Sequence, residues 1–406
     1  MTARRRVYVR GVGAFTPLAP TWPATVAQLA EGACAIREIT TFDATGFPSR
    51  HAAAITEAFP EEDRRLPYAR AAAREAWSNA RLDVAPARLG VFVGAESGRG
   101  RWQTVLGLAR AARGPTGAFD HAQFARDARP FANRIDASVL SPSAVAVALA
   151  DELGAHGPVE TVSLACASGN AAIVEAARAI RLGEIDAAIC GGVGADVDPL
   201  MLAGFGLLGI LSPRGISCPF DAHRDGFIVG EGAAMLVLSA ERGDALVELA
   251  GMGRSLDAHH LTAPDPEGDG AARAMSAALR DAEIDPRSGA IGYVQAHGTS
   301  TPLNDRIEVA AIRSVLGDAA DRAFVSSSKG ALGHWVAGAG AVGALYAYHA
   351  VMVQQVLPTA GLVAPDPACN VPHVMNRATN TPVEAAIANS FAFGGANSCL
   401  VMRGVA

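Results

Sequence analysis

The chain has 406 residues, half of them apolar and 18% charged, with 34 basic against 40 acidic side chains and a formal net charge of −6. That composition belongs to a core-forming globular protein and is too apolar and too weakly charged for disorder. The mild acidity, with no Lys/Arg stripe interleaved with aromatics, argues against a nucleic-acid binder.

The basic start, Arg4-Arg5-Arg6, runs directly into Val-Tyr-Val-Arg-Gly without an apolar h-region, so it does not read as a secretory signal. Residues 7–15 then read as a strand ending in a Gly-x-Gly turn, and residues 247–255 read the same way. The stretch 97–143, rich in Arg, Gly and Phe, fits no repeat and reads as an excursion that caps a pocket or forms a dimer contact. Residues 159–170 predict a strand and a tight turn, leading into a small-residue helix over 171–182. Residues 324–334 repeat that pattern and lead into a helix over 337–353. Each half closes on a Gly-rich turn and an apolar strand, at 230–238 and 393–402. Apolar strands alternating with helical runs predict mostly parallel sheets covered by helices. The expectation is a duplicated α/β fold with halves at 1–245 and 246–406.

No Asp, Glu, Lys or Arg occurs between residues 330 and 365, which is long enough to span a bilayer on the usual ~20-residue criterion. His334, His349, Gln354, Gln355 and many small residues favour a buried core helix, so no membrane span is expected. Six cysteines (34, 166, 190, 218, 369 and 399) lie far apart without a Cys-x-x-Cys pair. That excludes the common zinc spacings and a disulfide framework, and fits a reducing cytoplasm.

Cys166 follows an apolar strand and precedes Ala-Ser-Gly-Asn and a helix. A thiol there sits at a helix N-terminus, where the macrodipole and free N–H groups favour the thiolate. The bend follows the logic of a nucleophile elbow; the competing reading is a buried core cysteine. His297 lies where a strand breaks into Gly-Thr-Ser-Thr, and His334 lies in the Gly-His turn after Ser326-Ser-Ser-Lys329. Both could project from strand ends into one crevice. A Cys with two His is a plausible acyl-transfer set, although a lone strand-end His is more often structural. In Asn389-Ser-Phe-Ala-Phe-Gly-Gly-Ala-Asn397 the glycine pair permits close approach to a ligand, and a backbone N–H there would stabilise an oxyanion.

Together these segments resemble the β-ketoacyl-acyl-carrier-protein synthase family, the elongating ketosynthases with a Cys-His-His triad. The marks are Ala165-Cys166-Ala-Ser-Gly169, Pro219-Phe-Asp-Ala-His-Arg-Asp-Gly226, Gly230-Glu-Gly232, His297-Gly-Thr-Ser-Thr301, Lys329 with Gly333-His334, and Asn389-Ser-Phe-Ala-Phe-Gly-Gly395. The resemblance runs over essentially the whole chain and implies a thiolase-like fold: duplicated βαβαβαββ halves in an α/β/α/β/α core. It implies decarboxylative Claisen condensation of a Cys166-bound acyl chain with malonyl carried on an acyl carrier protein, in fatty-acid or polyketide elongation. Metal and cofactor are not expected, because the substrates ride on 4′-phosphopantetheine and decarboxylation itself generates the carbanion.

By the same resemblance, His297 and His334 assist decarboxylation, and Lys329 supports the His334 side. The N–H groups of Cys166 and Phe393 form an oxyanion hole, with Phe393 gating the acyl pocket. Thr299 and Thr301 bind the pantetheine arm, and Arg64, Arg65 and Arg214 dock the acidic carrier. A dimer is implied, either homomeric or with a related subunit. Gly343 departs from a usual glutamate, Ala337 and Ala392 from glycines, and Ala396 from a threonine, so a specialised polyketide or polyene pathway competes with housekeeping fatty-acid synthesis. A non-catalytic chain-length-factor subunit is disfavoured by the intact triad, and a CoA thiolase by the setting of Cys399. The single lysine of the chain is Lys329, against 33 arginines, and it falls within this motif.

Overall fold

The computed structural model describes residues 4–61, 63–99, 102–132 and 137–405. In the first half β1 (Tyr8–Phe15) is followed by α1 (Arg65–Ala80), β2 (Leu89–Gly94), α2 (Ala144–Leu153), β3 (Val159–Val162), α3 (Ser168–Leu182), β4 (Ala187–Ala195), α4 (Pro199–Leu207) and β5 (Glu231–Ser239). The second half carries β6 (Val247–Leu256), α5 (Asp269–Asp281), β7 (Ile291–Gln295), α6 (Asn304–Leu316), β8 (Phe324–Ser326), α7 (Ala339–Val353), β9 (Ala385–Phe391) and β10 (Ala396–Gly404). Setting α4 aside, each set reads βαβαβαββ.

The hydrogen-bonded strand order is β3-β2-β4-β5-β1-β6-β10-β9-β7-β8. It is a palindrome, because each set contributes its third, second, fourth, fifth and first strand from the edge inward. The halves join at β1 and β6 through the antiparallel pair Tyr8 and Glu248. Helix α1 packs on β1 and β5, and α5 packs on β6 and β10. Helices α3 and α7 pack on each other and on β4 and β9, so they form the middle of an α/β/α/β/α stack. The sheet is mixed and not mostly parallel as expected: only the outer three strands of each half pair in parallel, and β1, β5, β6 and β10 join antiparallel. Strands covered on both faces need continuous apolar runs, and β2, β4, β5 and the inner part of β9 are buried along nearly their whole length.

The charge-free stretch is the middle layer. Of the window Val336–Val353, 83% is buried inside the protein, so the apolar run serves the core, as expected. The two central helices cross closely at Gly169, where a Cβ would lie 2.8 Å from the Ala341 nitrogen and 2.9 Å from the Ala337 oxygen.

The duplication is more exact than the sequence suggests, and shifted. A three-residue 3₁₀ turn precedes each central helix, Ala165–Ala167 before α3 and Val336–Gly338 before α7. The first residue of each, Ala165 and Val336, has φ 45°. Cys166 therefore corresponds to Ala337, not to the 329–334 segment. The reason is an extra turn, Lys329–Leu332, inserted between β8 and the second elbow. The excursion 97–143 forms the helical segments Trp102–Ala111, His121–Ala132 and Ala137–Leu140; part of it lies outside the described residues.

Candidate active site

Cys166 occupies the elbow between β3 and α3. A left-handed φ at Ala165 costs on the order of 1–3 kcal/mol and needs support. The Glu96 carboxylate supplies it, accepting from Ala165 N at 2.9 Å, Ser163 Oγ at 2.8 Å and Ser168 Oγ at 3.2 Å. From the other half, Ser390 Oγ donates to the Cys166 carbonyl at 2.7 Å.

The resting state of the thiol differs from the dipole argument. Burial pushes Cys166 up to about 12, with Lys329 pulling the other way. A helix N-terminus contributes at most about 2 kcal/mol, whereas each pKa unit corresponds to about 1.4 kcal/mol. Desolvation wins, and Cys166 rests as a protonated thiol.

His297 follows β7 and is buried on all sides. Its N–H and that of Gly298 donate to Glu308 Oε1 and Oε2, each at 2.8 Å, so α6 fixes the turn from below. Lys329 Nζ donates to the His297 carbonyl and lies 3.4 Å from His297 Nδ1. This corrects the expected role of Lys329: it supports the His297 side, because the turn Lys329–Leu332 carries its ammonium under the end of β7. His334 is held differently. Its Nδ1 accepts the Val336 N–H at 3.0 Å, and its ring packs 5.1 Å from that of Phe227.

Those contacts set the tautomers. Nδ1 of His334 accepts and Nδ1 of His297 faces an ammonium, so each neutral ring carries its proton on Nε2. Burial, helped by the Lys329 charge, holds both imidazoles well below the usual histidine range. The two ring centres stand 5.8 Å apart at 82°. Burial also pushes Lys329 down and Glu308 up; the Glu308 charge works against the first shift, and hydrogen bonds from Gly298, His297 and Asn389 work against the second.

Cys166, His297, His334, Thr299, Thr301 and Phe393 line one cavity of about 370 Å³. Thr299 and Thr301 share a hydroxyl hydrogen bond of 2.8 Å. Phe393 opens the loop that ends β9, where Gly394 at φ 81° and Gly395 at φ 78° make the reversal a side-chain-bearing residue would resist. Both Phe393 and Cys166 sit in the first turn of a 3₁₀ segment, where N–H groups lack helical acceptors. Ala392 and Ala396 close the loop through their backbones at 2.8 Å, so neither departure opens it.

Two docking expectations change. Arg65 is not a docking residue: it is buried, paired to Asp63 at 2.6 Å, and donates to the Glu96, Val139 and Ser141 carbonyls. The Arg64 guanidinium likewise turns inward, to Glu231 at 2.8 Å and the Val197 carbonyl at 3.1 Å. A chain that buries Asp63 and Glu231 must spend nearby arginines on them. The 97–143 excursion contributes Ser97, Gly98, Arg99 and Gln103 to a second pocket beside Asp63 and Arg65, and among the described residues none of it lines the catalytic cavity. Arg214 is exposed, and its charge is matched by Asp225 at 2.8 Å.

Sequence reasoning missed Glu96 and Glu308. Glu96 carries no local signal, since it reaches the elbow from the loop after β2. Glu308 sits eleven residues after His297, three helical turns' worth of chain that only the fold brings back. At Gly343 the space beside the backbone is taken by Gln295, 3.3 Å from where a Cβ would stand. The negative charges of Glu308 and Asp305 act on Lys329 from a distance, while its direct contacts are to His297.

The family models for the β-ketoacyl synthase N-terminal and C-terminal domains match residues 4–243 and 246–363. The chain is 35% identical to a 3-oxoacyl-[acyl-carrier-protein] synthase 2 of Staphylococcus aureus, with 99% of each chain covered. It is 34% identical to that of Coxiella burnetii, again over 99% of each. Among solved structures, a type II polyketide ketosynthase in complex with its acyl-carrier protein superposes with a TM-score of 0.86 at 28% identity, covering 99% of this chain and 100% of that one. The ishigamide ketosynthase/chain length factor gives 0.85 at 32% identity over the full length of both. An elbow cysteine and two Nε2-protonated imidazoles in a duplicated, five-layer fold thus coincide with full-length likeness, and the chain belongs to the β-ketoacyl synthase family.

Proposed function

We propose that the protein is a 3-oxoacyl-acyl-carrier-protein synthase acting through Cys166, His297 and His334, with Lys329 positioning His297. The observation that carries this reading is the shared cavity holding an elbow thiol and two neutral imidazoles with Nε2–H donors. In the first step the acyl group of a carrier thioester passes to Cys166 Sγ, and the thiol proton ends on the departing carrier thiol. The N–H groups of Cys166 and Phe393 suit the oxyanion of that transfer.

In the second step the malonyl thioester loses CO₂. Two Nε2–H donors near its carbonyl stabilise the enolate, and the buried site strengthens both hydrogen bonds. The carbanion attacks the Cys166 thioester, the carbon–carbon bond forms, and the thiol returns after taking a proton. Thr299 and Thr301 bind the pantetheine arm in this reading, and Phe393 gates the acyl chain. No bound cofactor is needed, because decarboxylation supplies the nucleophile.

The division at residue 245 leaves the thiol on one half and both imidazoles on the other. The partners are an acyl carrier protein and a second ketosynthase-like subunit, in a cytoplasmic elongation system. The full-length likeness to 3-oxoacyl-acyl-carrier-protein synthase 2 and to polyketide ketosynthases alike supports chain elongation, in fatty-acid or polyketide synthesis. Intact-mass measurement after incubation with acyl-loaded carrier protein tests the mechanism. An adduct at Cys166, lost in Cys166→Ala, is expected; an adduct elsewhere, or none, rejects it.

A further inference from the structure

The turn between β7 and α6 carries Thr299 and Thr301, which line the catalytic cavity and share a hydroxyl hydrogen bond. Between them Ser300 sits at φ 69°, a left-handed conformation that a side-chain-bearing residue keeps only when its surroundings enforce it. The enforcement comes from the segment 218–226, which precedes β5. Cys218 N–H donates to Ser300 Oγ at 2.9 Å, and Gly226 N–H donates to the Ser300 carbonyl at 3.0 Å. The Asp305 carboxylate accepts Ser300 N–H at 3.2 Å and Phe220 N–H at 2.8 Å. Phe220 has φ 66°, so one carboxylate holds a left-handed residue from each segment.

One cation crosses both segments. Arg224 is 6% exposed, and it donates from Nε to the Thr301 carbonyl and from Nη2 to the Pro302 carbonyl, each at 3.0 Å. Its Nη1 donates to the Asp221 carbonyl at 2.7 Å and to Asp366 at 2.8 Å. Asp366 balances the buried charge. The two bonds to the turn therefore serve geometry: they fix the backbone that carries the threonine pair. Such a set of acceptors around one plane suits a guanidinium fork and not an ammonium. Arg224 itself stays outside the cavity lining, so anything it does to a ligand passes through the turn.

We propose that Arg224 is a positioning residue for the thioester arm, holding the Thr299–Thr301 turn so that its two hydroxyls meet the arm in a fixed geometry. The inference rests on the ketosynthase reading, in which these threonines bind the pantetheine arm. It adds a residue that never touches substrate yet sets how tightly the arm is held.

The test uses octanoyl-pantetheine, which carries the arm without a carrier protein, and iodoacetamide, which alkylates Cys166 without an arm. Arg224→Lys keeps a charge beside Asp366 but cannot span both carbonyls. It is expected to raise KM for octanoyl-pantetheine about tenfold while the limiting acylation rate stays within about twofold, with alkylation by iodoacetamide unchanged. Thr301→Val should raise the same KM, and the two changes combined should fall short of additive, because both act at one contact. Ser300→Gly, at a φ that suits glycine, folds without strain and frees the same turn, and is expected to raise KM about threefold. A wild-type KM in Arg224→Lys or in Ser300→Gly overturns the proposal. So do additive effects with Thr301→Val, or an alkylation rate that falls in step with acylation and so marks a general loss of structure. Failure of octanoyl-pantetheine to acylate wild-type Cys166 overturns the ketosynthase reading, and this inference with it.

Discussion

Lys329 Nζ lies 3.4 Å from His297 Nδ1 and donates to the carbonyl of the same residue. One ammonium therefore fixes both the backbone and the tautomer of the imidazole. It does so from a buried position shared with Glu308, where burial pushes the lysine down and the carboxyl up.

A guanidinium is planar and longer, and cannot replace an ammonium between a carbonyl and a ring nitrogen. Lys329→Arg is expected to keep the fold and to lower kcat for condensation by roughly a hundredfold, the scale of a mispositioned catalytic group. The wild-type rate should also fall on an alkaline limb below the ordinary lysine range of about 10.4, because burial depresses this ammonium. Lys329→Arg should lose that limb, since guanidinium does not titrate there. A near-normal rate, or the same limb in both proteins, would return Lys329 to coincidence.

The elbow at Cys166 offers a second test. Glu96 holds three donors of the segment 163–168 while Ala165 stays at φ 45°. Glu96→Ala leaves those donors without their acceptor and releases the strained turn. The expected outcome is a loss of about 1–3 kcal/mol of stability with a larger proportional loss in the acylation rate of Cys166. Thermal melts and single-turnover acylation measure the two separately. Glu96→Gln, which keeps an acceptor oxygen, should recover much of the rate; equal damage in both variants would indicate a charge effect and refute positioning.

Acid should weaken the protein through its histidines. His297 and His334 have folded pKa values well below 6.5, chiefly from burial. Between the folded and unfolded values the unfolded chain binds more protons, so stability rises with pH across that window. As pH falls below about 6.5 the contribution is lost progressively. Melts of wild type and His334→Asn from pH 7.5 to 5 should show a shallower decline in the variant, and parallel curves would exclude the histidines as the cause.

Much of the site was legible because its chemistry-bearing residues sit at strand ends flanked by glycine and hydroxyl residues, where local pattern and position coincide. Cys166, His297 and His334 are of this kind, and the cavity unites them. The inward turn of Arg64 and Arg65 was not legible, since a surface arginine and one spent on a buried carboxylate have the same sequence neighbourhood. Nor was the side of the site that Lys329 serves. Residues 329–334 are contiguous, and only the extra turn at Lys329–Leu332 sends lysine and His334 to opposite sides. The palindrome of the strand order follows from the repeat, whereas the order within each half, its antiparallel inner strands and the true register of the duplication, Cys166 against Ala337, needed the structure.

The two central helices supply a last, paired prediction, in which one substitution at two glycines has opposite sign. Gly343 lies inside α7, and a Cβ there would stand 3.3 Å from Gln295 Cγ, the stem of a flexible side chain. Alanine gains about 0.5–1 kcal/mol over glycine in a helix interior, and the glutamine can shift by a few tenths of an ångström. Gly343→Ala should therefore be neutral or slightly stabilising. At Gly169 the same methyl meets backbone of the neighbouring helix at 2.8 and 2.9 Å, which cannot yield without moving α3 from α7. Overpacking of that kind costs about 1–3 kcal/mol. Because Gly169 lies three residues after Cys166, the displacement should also slow acylation, while Gly343→Ala leaves it unchanged. Denaturant melts and acylation rates of the two variants decide the matter; matching stability in both would mean that the helix crossing is not what fixes the elbow.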